Sequence, residues 1–293
     1  MRFRTKIINA SLMNKVVKSL QSTAKSCVIK LGPESVHFIV SDSESGPSGV
    51  QIWSLASKVT LFDEYRIESR GNNEIYLEIG LEPLSKALRS AEMAGTTGRD
   101  SEAGVKLSKK NDKAVLVFDI VGQGNGPTPI SITHDVTCLV LNPSRVAQLK
   151  EPLCPQPDIH VHLPSLAQLK GLASRFSHLG STVLISANKK GEMLFTVQSD
   201  GLKMETRWEK LAIPNFNQEA DQEPAQEVNP EEAPTFSVSI SIKNLLKFLA
   251  TNLANTTTIA CICDNYCLIA YVYIGEPNEA AGVLTLFIPK SEA

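Results

Sequence analysis

Ser131, His134 and Asp135 are the residue types of a hydrolytic triad, and they fall close together in the chain. A triad needs its histidine between the nucleophile and the carboxylate, all within hydrogen-bond reach. Adjacent residues of a strand point to opposite faces, so His134 and Asp135 cannot form one, and a structural role is expected. Cys261, Cys263 and Cys267 offer thiol ligands, but zinc needs a fourth ligand and usually CxxC knuckles. They are expected to be buried as small hydrophobes. His160 and His162 share one face of a strand whose other face is Ile159, Val161 and Leu163, a pattern expected of a solvated face. GQGNG at 122–126 has the glycines of a phosphate loop, but Pro127, Pro129 and a strand follow it. Without a helix N-terminus to receive phosphate, a hairpin loop is expected. No catalytic residue, metal ligand or cofactor is therefore assigned.

The remaining candidate chemistry is electrostatic. Met13, Val16, Val17, Leu20 and Ala24 form one apolar helical stripe, with Lys15 and Lys18 on the opposite side and Lys25 just past the end. Leu84, Ala87, Leu88 and Ala91 form a second stripe, and Lys86 and Arg89 take the places of Lys15 and Lys18. Lys170 and Arg175 flank a third stripe of Leu166, Leu169, Leu172 and Phe176. Lys243 and Lys247 lie away from a fourth, Leu245, Leu246, Leu249 and Leu253. Acidic residues occur only at the ends of the second helix, Glu82 and Glu92. Surface helices ordinarily mix both signs, because opposite charges one turn apart stabilise them. Four basic faces suit contact with phosphates without base reading, which needs neither stacking aromatics nor a recognition helix.

These helices sit in a repeated plan of strand, helix and hairpin. Residues 2–42 run RFRTKII, SLMNKVVKSL, SCVIK and VHFIVSD; residues 159–200 run IHVHL, SLAQLKGLASRF, TVLIS and EMLFTVQSD. Residues 73–121 and 235–274 fit the same plan, giving four copies, two per half. Long-range self-similarity of this kind marks a duplicated unit. Strands at PISITHDVTCLVLN and GVLTLFIP close the two halves. The fold class is α+β, with helices on one face and sheets on the other. The expected domains are 1–141 and 159–293, joined by a connector at 142–158 whose EPLCPQPD run is too proline-rich for helix or central strand. Residues 217–234 hold six acidic residues and three prolines with no basic or aromatic residue, so a flexible loop is expected. Smaller loops are expected at 41–49 and 95–104. Trp53 and Trp208 close comparable strands and are read as packing residues, Trp208 also as an interface candidate.

The 293 residues suffice for two domains with real cores, and the composition, 42% hydrophobic and 20% charged, suits a soluble globular protein. MRFRTKIINA lacks the apolar run of a signal peptide, and no stretch is long and apolar enough to span a membrane. Six cysteines without a secretion signal suggest reduced thiols in cytosol or nucleus. A net charge of -2 gives no support to nucleic-acid binding in bulk, so such a reading depends on where the charges sit.

RFRTKI (Arg2–Ile7), NNEIYLE (72–78), LSKAL (84–88), ITHD (132–135), LKEPLCPQPD (149–158), LLKFLA (245–250) and FIP (287–289) appear in the order of one family. The chain resembles the Hus-one subunit of the nine-one-one checkpoint clamp, itself similar to proliferating cell nuclear antigen. The resemblance implies a DNA-clamp fold and a nuclear, non-catalytic subunit of a heterotrimeric ring around double-stranded DNA. It implies two paralogous clamp subunits, a clamp loader, and checkpoint and repair factors as partners. The implied pore contacts are Lys15, Lys18, Lys25, Lys86, Arg89, Lys170, Arg175, Lys243 and Lys247. The implied interface strands present Ile130, Ile132, His134 and Val136 in the first domain and Leu202, Met204, Thr206 and Trp208 in the second. A homotrimeric processivity clamp for a DNA polymerase is the alternative.

Overall fold

A computed structural model describes residues 1–41, 49–97, 102–123, 129–214, 234–251, 256–274 and 282–291. The chain divides into two compact units. One is built mainly from Met1–Ser41 and Ile52–Glu151, the other mainly from Pro152–Pro277 with Thr285–Ala293.

The first unit contains strands β1 (Arg2–Ile7), β2 (Ser26–Leu31), β3 (Ser35–Ser41), β4 (Gln51–Ser57), β5 (Phe62–Glu68), β6 (Ile75–Gly80), β7 (Glu102–Lys110), β8 (Lys113–Gln123) and β9 (Pro129–Val140). Their order across the sheet is β4-β3-β2-β6-β9-β8-β7-β1-β5. Its helices are α1 (Ala10–Gln21), the one-turn α2 (Lys58–Leu61), α3 (Leu81–Thr97) and the one-turn α4 (Pro143–Val146). The β7–β8 hairpin closes on Asn111 and Asp112, both at positive φ, the two-residue turn whose twist matches the strands it joins.

The second unit contains β10 (Ile159–His162), α5 (Leu166–Phe176), β11 (Thr182–Asn188), β12 (Met193–Ser199), β13 (Leu202–Trp208), β14 (Thr235–Ser241), α6 (Ile242–Ala250), β15 (Thr256–Cys263), β16 (Cys267–Ile274) and most of β17 (Gly282–Pro289). Four of these form a separate sheet in the order β13-β12-β11-β14, and four more run β10-β15-β16-β17. Strand, helix and hairpin therefore recur four times: β1-α1-β2-β3, β6-α3-β7-β8, β10-α5-β11-β12 and β14-α6-β15-β16.

Helices α1, α3 and α5 bury the stripes their spacing predicts. In α1, Leu12, Met13, Val16, Val17 and Leu20 are buried; in α3, Leu81, Leu84, Ala87, Leu88 and Ala91. In α5, Leu166, Leu169, Leu172, Ala173 and Phe176 are buried. Asn9 caps α1, its side chain accepting from the Leu12 amide at 3.0 Å. Three sequence expectations shift. Ala24 lies beyond α1 and is half-buried. The buried face of α6 is Ile242, Leu245, Phe248 and Leu249, with Leu246 on its flank, because the stripe follows the 3.6-residue period from Ile242; Leu253 lies outside the described residues. The expected loop at 95–104 shrinks, since α3 runs to Thr97 and β7 begins at Glu102. At the head of the connector Asn142 caps α4, its side chain accepting from the Arg145 amide at 2.9 Å, while residues 151–158 hold neither helix nor strand. Most of the 41–49 loop, residues 124–126 of GQGNG and residues 217–233 of the acidic segment lie outside the described residues.

Gly191 carries φ +77°, and a Cβ there would meet the Leu211 carbonyl oxygen at 2.4 Å. Gly191→Ala is expected to cost more than about 1 kcal/mol, since both backbone conformation and space reject a side chain. The check is a denaturant melt followed by the fluorescence of Trp208, which ends β13 of the adjoining sheet.

Candidate nucleic-acid interface

The helices pair within each unit. In the first, α1 packs on α3, and α3 lies over β8 as well as β7, β9, β2 and β6. In the second, α5 packs on α6. With the apolar stripes turned inward, Lys15 and Lys18 on α1 and Lys86 and Arg89 on α3 are all exposed. Lys170 and Arg175 on α5 and Lys243 on α6 are likewise exposed, whereas Lys247 is half-buried. Lys25 is exposed beyond α1, and its carbonyl accepts the Leu81 amide at 2.9 Å, fixing it beside the start of α3. Each helix pair therefore carries basic side chains from both of its members.

Two carboxylates temper the first unit's basic face. Glu82 meets Lys86 one turn along α3 at 2.8 Å, an exposed, solvent-screened pair that phosphate can displace. Glu92 is fixed more firmly. It accepts from Asn14 Nδ2 at 2.7 Å, and Asn14 Oδ1 accepts from Ser85 Oγ at 3.2 Å. Asn14 is only 1% exposed, so α1 and α3 are joined by a polar network inside an otherwise apolar contact. The Asn14 hydrogen bond, with help from Ser11, Lys18 and Lys15, holds the Glu92 carboxyl below its ordinary range against the opposing effect of burial. Glu92 therefore stays ionised beside two of the candidate lysines. Sequence reading placed Glu92 at a helix end and gave it no role. The available signal was Asn14, a polar residue inside the Met13–Val17 arc.

The candidate interface strands are both open on one side. β9 pairs with β8 from Pro129 to Cys138, but β6 covers its other side only at Cys138–Val140. Among the described residues, the second side of 130–136 has no strand neighbour. β13, among the described residues, pairs only with β12, from Leu202 to Trp208. Ile130 and Ile132 are 52% and 42% exposed, large apolar side chains beside an open edge. Val136, at 2%, is turned into its own unit's core and brings only its backbone to the edge. His134 is half-buried, its Nε2 2.9 Å from Ser90 Oγ of α3. Leu202 is exposed, while Met204, Thr206 and Trp208 are half-buried, Trp208 lying edge-on to Phe195.

The residues considered for other chemistry are separated. Asp135 pairs with Lys110 at 2.7 Å on the face opposite the His134–Ser90 contact. Cys261, Cys263 and Cys267 are buried, and burial pushes the Cys261 thiol up to about 12. His160 and His162 are half-buried rather than fully solvated, and burial lowers the pKa of His160. Among the described residues, no group of three or more ligand-type side chains is placed to hold a metal ion. No described helix is long and apolar enough to cross a membrane.

The family model described as Hus1-like protein matches residues 1–292. The chain belongs to the Hus1-like family. It is 32% identical to the checkpoint protein hus1 of Schizosaccharomyces pombe over 98% of both chains. It is 28% identical to human checkpoint protein HUS1 over 99% of both. Among solved structures it is similar to proliferating cellular nuclear antigen from Entamoeba histolytica, with TM-score 0.67 and 18% identity over 99% of each chain. That likeness establishes the clamp fold, to which this Hus1-like chain contributes four strand–helix–hairpin units.

Because the Glu92 carboxyl is depressed in the folded state, its stabilisation is present above its unfolded value of about 4.3 and lost as pH falls through the folded one. Glu92→Gln keeps an acceptor for Asn14 but removes the charge. Its stability deficit relative to the parent is expected to be present at pH 7 and to shrink below about pH 4; urea melts at the two pH values check this. Asn14→Ala, which strands Ser85 and Glu92, is expected to cost about 1–3 kcal/mol at pH 7, read in the same melts.

Proposed function

We propose that this chain is a non-catalytic subunit of a heterotrimeric ring that encircles DNA at damaged or stalled replication sites. There the ring is a platform for checkpoint signalling and repair factors. The observation that carries the reading is a checkpoint-family chain with a clamp fold that leaves basic side chains exposed on every helix of its two helix pairs. In this reading Lys15, Lys18, Lys25, Lys86, Arg89, Lys170, Arg175, Lys243 and Lys247 face the DNA backbone, with Lys25 the weakest member. The open edges at 130–136 and Leu202–Trp208 pair with the two paralogous clamp subunits. Unpaired edges invite unwanted association, and pairing them between subunits removes that hazard while closing the ring. Residues 142–158 connect the two domains, 1–141 and 159–293.

The mechanism is electrostatic and topological. A closed ring cannot leave DNA by dissociation of one contact, so each lysine–phosphate contact can be weak. Such contacts carry no sequence information, which allows sliding. Each releases counterions, so affinity falls with salt at a log–log slope of about -0.9 per phosphate engaged. The carboxylates of Glu82 and Glu92 moderate that attraction in the first domain. A clamp loader opens the ring onto DNA, and the site of action is the nucleus. A homotrimeric polymerase clamp is the second reading of the same fold. Identities of 28–32% to checkpoint proteins, against 18% to proliferating cellular nuclear antigen, favour the checkpoint ring.

Charge reversal of Lys15, Lys18, Lys86 and Arg89 together is expected to release loaded rings from nicked circular DNA at lower salt while leaving ring assembly intact. Retention unchanged across a salt titration would remove the pore assignment. Thr133→Pro is expected to abolish association with one neighbouring subunit and spare the other, measured by co-purification, because alternation from Leu141, whose amide bonds Tyr76 of β6, turns the Thr133 amide to the open side of β9.

A further inference from the structure

Three of the six cysteines meet in the second unit, where the segment 153–158 is laced onto the β15–β16 hairpin. Tyr266 Oη donates to the Leu153 carbonyl at 3.5 Å, and Cys263 Sγ donates to the Pro155 carbonyl at 3.5 Å. The Asp158 amide donates to the Ile262 carbonyl at 2.9 Å, and its carboxylate accepts from the Asp264 amide at 2.8 Å. Pro152, Pro155 and Pro157 deny this segment the hydrogen bonds of regular structure, so these contacts set its path. That path lays Cys154 against Cys263 and Cys267, which are direct cross-strand partners at the end of the hairpin. Cys154 and Cys267 also line one cavity of 360 Å³ with Leu153, Tyr266 and Phe287. Leu153 is 93% exposed and Cys154 half-buried, so the cavity offers small solutes a route to the pair.

We propose that Cys154 and Cys267 are a peroxide-sensitive thiol pair, and that their disulfide fastens the segment 153–158 to the β15–β16 hairpin. Cys267 is buried and its thiol is in hydrogen-bonding contact with Cys154, which raises the pKa of Cys267 and keeps it the protonated donor. Cys154 is the more accessible of the two, so it meets peroxide first, reacting as its thiolate. In the first step a bond forms between the Cys154 sulfur and one peroxide oxygen while the O–O bond breaks. The other oxygen leaves as water with a proton, and the sulfur becomes a sulfenic acid. In the second step the Cys267 sulfur attacks the Cys154 sulfur, and the departing hydroxide takes the Cys267 proton as a second water. Two thiols and one hydrogen peroxide thus give one disulfide and two waters, and a dithiol reductant reverses the change. Cys263 is in hydrogen-bonding contact with Cys267 as well as with the Pro155 carbonyl, so it is the competing partner that the test must separate from Cys154. The proposal does not depend on the ring encircling DNA.

The test treats the full chain, in the complex purified from its own cells, with hydrogen peroxide, then alkylates free thiols and maps disulfides by mass spectrometry without reduction. The expected result is loss of two alkylatable thiols per chain and one linked peptide pair, Cys154 with Cys267, restored by dithiothreitol. Cys263→Ser is expected to keep the link and Cys154→Ser to lose it. The unmodified chain alone decides the matter should a variant fail to fold. Six intact thiols at peroxide levels that oxidise an added free cysteine would overturn the proposal. So would a Cys263–Cys267 link in place of the expected one, or a link between chains.

Discussion

Burial of one apolar stripe per helix is the constraint from which the rest of this structure follows. Four helices must each hide a row such as Met13, Val16, Val17 and Leu20, and they do so against a partner helix, α3 against the sheet as well. Once that row is fixed inside, the helical period fixes what is left to water. On α1 and α3 the remainder is Lys15, Lys18, Lys86 and Arg89; on α5 and α6 it includes Lys170, Arg175 and Lys243. The basic faces are therefore a by-product of core packing in position, while their sign was a separate choice of sequence. A net charge of -2 is no obstacle, because phosphate binding depends on local charge.

The second structural theme is incompleteness. Among the described residues, β9 has no strand neighbour on its second side along 130–136, and β13 has one only on its β12 side. Both edges carry part-exposed apolar side chains, Ile130 and Ile132 on one and Leu202 on the other. A ring of clamp subunits makes physical sense of both, because it turns two aggregation-prone edges into two joints. The polar network of Asn14, Ser85 and Glu92 stands out against the apolar contact of α1 with α3. It joins helix packing to the charge of the outer face, since the carboxylate that satisfies a buried amide also lies beside Lys15 and Lys18.

Much of the fold was legible in the sequence because its signals are periodic and repeated. The stripes of α1, α3 and α5, all four strand–helix–hairpin units and the closing strands β9 and β17 follow from spacing alone. What was not legible depends on contacts distant in sequence. The one-turn helix α2 and strand β5 carry no periodic signal of their own; β5 is specified by its pairing with β1, Phe3 opposite Ile67. Phe248 replaced Leu246 in the buried face of α6 because the helix begins at Ile242, a boundary that periodicity fixes poorly. The family resemblance set Val136 beside Ile130 and Ile132 on the implied interface strand. The core beneath the later part of β9 claims it, whereas Ile130 and Ile132 remain exposed. The basic faces were legible as types and spacing, but Glu92 as a moderator needed the packing of α3 on α1.

The central claim is that this chain works as one member of a ring made from three different clamp chains. Native mass spectrometry of the complex isolated from its own cells tests it most directly. The account predicts one copy of this chain together with one copy each of two other clamp-like chains. Three copies of this chain, or a lone monomer, would contradict it.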